Sequence, residues 1–155
     1  MAVAFKWSPE FETGIDIIDQ QHRRIFDYLL EIETAISERS VEKVENVAKA
    51  LIDYAISHNT FEEKLMEQAG YPMLEAHQKV HETFKIRALS YADRINQGED
   101  PFAVAREVRG DIGLWLTNHI KRDDKHYVPF VKKSLDPSFT TRMLNKFFGR
   151  RTTAA

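Results

Sequence analysis

Four stretches of this chain repeat apolar residues at helical spacing, and each carries a metal-binding residue type on its apolar side. Ile18, His22, Ile25, Leu29, Ile32 and Ile36 step by four, three, four, three and four, which traces one stripe along a helix. A second stripe runs through Val44, Val47, Leu51, Tyr54, His58, Glu62, Leu65 and Ala69. A third holds His77, His81, Phe84, Ala88, Tyr91 and Ile95, and a fourth Val108, Ile112, Trp115 and His119. An apolar stripe has to be buried against other elements. Burying these four therefore draws histidines and a glutamate inside.

The punctuation between stripes fits short turns. Ser40 is placed to cap the second helix, with Glu42 in its first turn. Gly70 ends that helix, Pro72 helps start the third, and Gly98 closes the third. Asp100-Pro101 is an N-cap followed by proline at the first helical position, and the fourth helix is predicted from there to about Ser134. Gly110 and Gly113 lower its helix propensity and permit close packing, while Pro129 should bend its last turns. Short connections make consecutive helices antiparallel neighbours. The expected fold is all-α: an up-down-up-down antiparallel four-helix bundle over residues 1–135, preceded by an irregular N-terminal arm, with Trp7 and Phe11 packed on the body.

Residues 136–155 read as an added extension, a short amphipathic C-terminal helix and a frayed Thr-Thr-Ala-Ala tail. Phe139, Met143 and Phe147 share one face, with Leu144 and Phe148 beside it; Arg142, Lys146, Arg150 and Arg151 make it basic. Packing back on the bundle is the expected role, and docking to a protein or membrane surface is the alternative.

Composition excludes several chemistries. With no cysteine among 155 residues, disulfides, thiolate metal sites, Fe–S clusters and thiol catalysis are out. A net charge of -2 gives no footing for nucleic acid. The first residues are too short and polar for a signal peptide and no apolar run reaches membrane-span length, so a cytoplasmic location without a transmembrane segment is expected.

The inward polar residues form the functional signal. His77 and His81 lie four apart, one above the other on a helix face, as do His58 and Glu62. One histidine on an apolar stripe is ordinary. Five on four helices, with a glutamate, would be a costly set to bury unpaired. A cation resolves that cost, since neutral imidazole is a ligand and the charge compensates the carboxylate; a pH-sensitive core is the alternative. On the fourth helix, ideal α-helical spacing favours Asp123 as the partner of His119, whereas Asp124 needs a local distortion such as a π-bulge. Glu63 and Lys64 read as a solvated face, and His126 as a bystander or helix-dipole partner.

Taken together, Ile18-Asp19-Gln20-Gln21-His22, His58-x-x-x-Glu62, His77-x-x-x-His81 and His119-x-x-x-x-Asp124 resemble the hemerythrin family, in particular its single-domain bacterial members. Tyr71, Trp115, Leu116 and Ile120 match as well, and the resemblance spans about residues 5–132. It selects Asp124 over Asp123. It implies a non-haem centre of two Fe ions (Fe2+/Fe3+) with an oxo or hydroxo bridge. His77, His81 and His119 would bind one iron, His22 and His58 the other, and Glu62 and Asp124 would bridge. Five imidazoles, four carboxylate oxygens and a shared solvent bridge give about eleven donor positions against about twelve for two octahedra, leaving one open on the two-histidine iron.

The implied function is reversible O2 binding, for oxygen storage, delivery or sensing, and not enzymatic turnover. Ile25, Trp115, Leu116 and Ile120 are expected to wall a dry O2 pocket with Asn59, which stands where many relatives carry phenylalanine. Sensing needs an output element, and none stands out within the 155 residues, so storage or delivery leads. The competing class is a di-iron oxidase or peroxidase consuming O2 or peroxide. Ferritin-like enzymes of that kind use Glu-x-x-His, which this chain lacks. A structural zinc site needs only four ligands, and no Ser-His-Asp spacing or phosphate loop supports a hydrolase.

Overall fold

A computed structural model describes residues 5–149. Its elements are α1 (Asp16–Ser37), α2 (Val41–Ala69), α3 (Leu74–Asn96), α4 (Pro101–His119), a π-helical segment (Ile120–Asp124), α5 (Lys125–Ser134) and α6 (Pro137–Leu144). A second π-helical segment, Asn145–Gly149, follows α6. No strand occurs among the described residues. α1 packs on α2 and α4, α2 on α3, and α3 on α4, which closes a ring of four helices.

The helix ends follow their local chemistry. Ser40 accepts a hydrogen bond from the Lys43 amide, and Asp100 accepts one from that of Phe102. Gly70 takes the left-handed conformation at φ 67°, which closes α2 at little steric cost. The single long fourth helix expected from sequence is instead α4, the π-helical segment and α5. The extra residue per turn in that segment is the distortion that Asp124 requires.

The N-terminal arm packs as expected where it is described; its first four residues lie outside that range. Phe11 is buried against Phe26, with ring centroids 5.2 Å apart, and Arg23 covers the Trp7 ring at 4.0 Å. Gly113 serves close packing, because a Cβ there would come within 2.5 Å of the Phe5 ring. Among the described residues Gly110 has no such neighbour, so the same expectation is not met for it there.

The extension lies against the bundle. Asp136 caps α6 by accepting from the Ser138 amide, and Phe148 sits between Tyr54 and Phe61, with centroids 5.2 and 6.1 Å away. Arg150, Arg151 and the terminal Thr-Thr-Ala-Ala lie outside the described residues.

The core is divided in two. One apolar cluster holds Ile25, Leu29 and Ile32 of α1 with Val44 to Ala55 of α2, Phe84 to Ile95 of α3 and Val104 to Ile112 of α4. The other holds Ile15, Ile18, Phe61, Leu65, Met66, Tyr71, Tyr127 and Val131. On α1 to α4 the buried histidines fall at the junction between these clusters. The bundle thus carries a polar layer across its middle. Ile32, fully buried in the larger cluster, should cost about 2–5 kcal/mol as Ile32→Ala. Leu30→Ala, at a residue 61% exposed, should stay within about 0.5 kcal/mol. Urea denaturation of both variants checks the contrast.

Candidate metal centre

Seven side chains meet in the polar layer: His22, His58, Glu62, His77, His81, His119 and Asp124, all buried. Asp124 reaches inward because the π-helical segment turns it onto the face of His119. Its Oδ1 lies 3.2 Å from His77 Nε2 and 3.0 Å from His119 Nε2, while its Oδ2 lies 3.2 Å from His22 Nε2. Glu62 divides itself the same way. Its Oε1 is 3.5 Å from His81 Nε2, and its Oε2 is 3.3 Å from His58 Nε2 and 3.5 Å from His22 Nε2. Each carboxylate therefore turns one oxygen to the three-histidine group and the other to the two-histidine group.

These contacts are close but misaligned for hydrogen bonding. Both ring nitrogens of His22, Glu62 Oε1 and both Asp124 oxygens are buried without a hydrogen-bond partner among the described residues. Groups so placed point at common points between them rather than at one another. The donor atoms form two sets, each within a 4.8 Å span: Glu62, His77, His81, His119 and Asp124; and His22, His58, Glu62 and Asp124. Each set could hold a metal ion.

A ring of outer residues fixes the imidazoles. Gln21 Oε1 lies 2.6 Å from His58 Nδ1, Glu63 Oε2 2.7 Å from His81 Nδ1, and Asp123 Oδ2 2.8 Å from His119 Nδ1. All three partners are acceptors, so Nδ1 carries the proton and donates. The Nε2 lone pair of each ring then faces inward. His81 Nε2 and His119 Nε2 consequently oppose lone pairs at 3.0 Å, with His77 Nε2 another 3.1 Å from His81 Nε2. Lone pairs at that distance repel unless a cation lies between them. An ion about 2.1 Å from each nitrogen sets neighbouring donors about 3.0 Å apart in an octahedron, against about 3.4 Å in a tetrahedron. The spacings in this group, 3.0 to 3.5 Å, are of the size that donors around one ion require.

Three of these outer positions were not among the sequence-predicted site residues in this role. Glu63, expected on a solvated face, holds His81 instead, whereas Lys64 does lie near Glu67 on the surface, 4.0 Å away. Asp123, the competitor of Asp124, occupies the i+4 position that helical spacing assigns and uses it on the outer nitrogen. Gln21 was visible only as part of a motif. A signal existed: each outer residue is the sequence neighbour of an inward one. Tyr127 had no such signal. It is fully buried on α5 and donates its hydroxyl to Glu62 Oε2 at 2.6 Å. Burial and the charges of Glu62 and Asp124 hold that hydroxyl well above its ordinary pKa, so it stays a donor.

Of the expected pocket residues, Ile25, Leu116 and Ile120 are buried in the larger apolar cluster. Trp115 stacks on His119, with centroids 4.3 Å apart, and on Phe84 at 4.1 Å. Asn59 lines a polar cavity of about 380 Å³ between α2 and α3 with Glu63, Gln78 and His81. Trp115 and Asn59 thus border the three-histidine group.

The sequence profile described as "Hemerythrin HHE cation binding domain" matches residues 13–131. The chain belongs to the hemerythrin family. The bacteriohemerythrin of Stenotrophomonas maltophilia (strain R551-3) is 40% identical over 151 residues, covering 92% of this chain and 97% of the relative. That of Pseudomonas aeruginosa (strain LESB58) is 37% identical over the same length and coverage. The crystal structure of a wild-type hemerythrin superposes with a TM-score of 0.73 at 29% identity, covering 83% of this chain and 98% of that one. Membership in this family, with the buried His/Glu/Asp cluster, supports a non-haem metal site. Among the described residues no helix is long and apolar enough to cross a membrane.

Without metal, protons serve as the cations of the layer. Burial lowers the affinity of His22 and His119 for a proton, but Asp124 and Glu62 outweigh it and raise both to about 9. Burial pushes Glu62 and Asp124 up, and the charge of Asp124 pushes Glu62 further, yet the histidines bring both below the ordinary carboxylate range. His58, neutral beside Gln21, is lowered by burial. A raised histidine contributes stability that is complete below its unfolded value of 6.5 and lost as pH rises through about 9. The depressed carboxylates contribute stability that is lost only in acid. The thermal midpoint of the chelator-treated protein should therefore fall between about pH 7 and about pH 10, and fall less steeply in His22→Gln. Circular dichroism melts across that range measure both.

Proposed function

We propose that this protein binds O2 reversibly at a pair of iron ions. In this reading His77, His81 and His119 would hold one ion, His22 and His58 would hold the other, and Glu62 and Asp124 would be shared between them, with an oxo or hydroxo group from solvent completing the centre. One observation carries the reading: both buried carboxylates divide their oxygens between two histidine groups of unequal size. One ion cannot use that arrangement, and two ions would receive five and four protein donors. The side with fewer donors keeps a coordination position for a small ligand.

Bound iron supplies the open position and the two electrons that O2 takes up. The chain's part is to keep that chemistry reversible. His22 and His58 hold the open side with neutral imidazole. Ile25, Leu116 and Ile120 exclude water, which would otherwise carry protons in and release the ligand in reduced form. Tyr127 and the outer acceptors keep the donors in place, so ligand exchange moves little of the protein. Storage or delivery is the favoured use.

A second reading, a di-iron oxidase or peroxidase, draws on the polar cavity that Asn59 and His81 both line. One titration separates the two. Iron-loaded protein should hold two irons per chain, and His77→Ala should hold less. Adding O2 to the reduced protein should raise a visible charge-transfer band that disappears when O2 is removed. Continuous O2 consumption with peroxide release would instead establish the enzyme, and a single iron per chain would overturn both readings.

A further inference from the structure

The outer ring is asymmetric in charge. Two of the three histidines in the larger group donate Nδ1–H to carboxylates, His81 to Glu63 and His119 to Asp123. In the smaller group His58 donates to the neutral amide of Gln21, and His22 Nδ1 has no hydrogen-bond partner among the described residues. A carboxylate partner draws the Nδ1 proton toward itself and makes Nε2 a stronger, more anionic donor; an amide oxygen does so far less. Glu63 and Asp123 also bring two formal negative charges to one side, where Gln21 brings none.

We propose that Gln21 is a positioning residue that orients His58 while keeping the two-histidine iron the more readily reduced of the pair. The inference rests on the di-iron reading above. Strong anionic donors favour the ferric state, so the three-histidine ion loses its electron first. The two-histidine ion, where the small ligand binds, is held ferrous longest. The neutral partner thus separates the two one-electron steps and assigns their order. It also keeps the resting ligand-binding side from being oxidised ahead of its neighbour.

Gln21 suits a clean test. Its Nε2 is buried and makes no hydrogen bond among the described residues, so Gln21→Glu replaces an atom without breaking a contact. Glu63→Gln is the converse change on the other group. Iron content and a spectroelectrochemical titration are measured on the same samples of the wild-type protein and both variants. Wild type should show two irons per chain and two separate one-electron steps. Gln21→Glu should favour the ferric state of the second step about tenfold, lowering that midpoint by about 59 mV. Glu63→Gln should raise the first midpoint by a similar amount. Both variants, opposite in charge, should narrow the gap between the steps. A gap that is unchanged or wider in either variant with both irons retained overturns the inference and leaves the di-iron reading standing. Fewer than two irons in the wild type overturns that reading and the inference with it. Should Gln21→Glu lose iron, the Glu63→Gln midpoint alone decides: no rise in the first step overturns the inference.

Discussion

Two buried carboxylates, each shared between two groups of histidines, set the terms for the rest of this molecule. Glu62 and Asp124 sit at zero exposure between apolar clusters, where an unpaired negative charge would cost several kcal/mol. Their oxygens face imidazoles that are close yet misaligned for hydrogen bonding. The arrangement is satisfied by cations placed between the groups, and protons serve as a weaker substitute. That single requirement explains why a polar layer crosses a bundle whose two halves are otherwise ordinary aliphatic and aromatic packing.

The layer also accounts for the irregularity in the fourth arm. A regular α-helix would bring Asp123 to the position four residues after His119 and turn Asp124 aside. The π-helical segment brings both into use, Asp123 on the outer nitrogen of His119 and Asp124 on the inner side. Helical regularity is given up where two acids must serve two different shells of the same site. The outer acceptors link the helices in sequence: Gln21 of α1 fixes His58 of α2, and Glu63 of α2 fixes His81 of α3. α1 and α2 therefore each help orient a donor on the following helix, so the bundle's assembly and the centre's geometry depend on each other.

Much of this was legible in the chain. Helical periodicity with Ser40, Gly70 and Asp100 as boundary residues identified the four arms, because burial and capping act through local spacing. The inward histidines and Glu62 were readable for the same reason. Asp124 was not settled by spacing, since a π-turn depends on what the tertiary structure demands of the turn. Resemblance to a family chose it, and the geometry gives the physical reason. Glu63 was misread because an acid beside a lysine near a turn of helix has the pattern of a surface; its partner, His81, lies on another helix. Tyr127 was missed because an isolated tyrosine eight residues past His119 carries no mark of the carboxylate it will meet.

The most direct test of the account is anomalous diffraction at the iron edge from crystals of the iron-loaded protein. Two peaks are expected, one among His77, His81 and His119 and the other beside His22 and His58, with Glu62 and Asp124 reaching both. A single peak, or iron bound outside this layer, would contradict it.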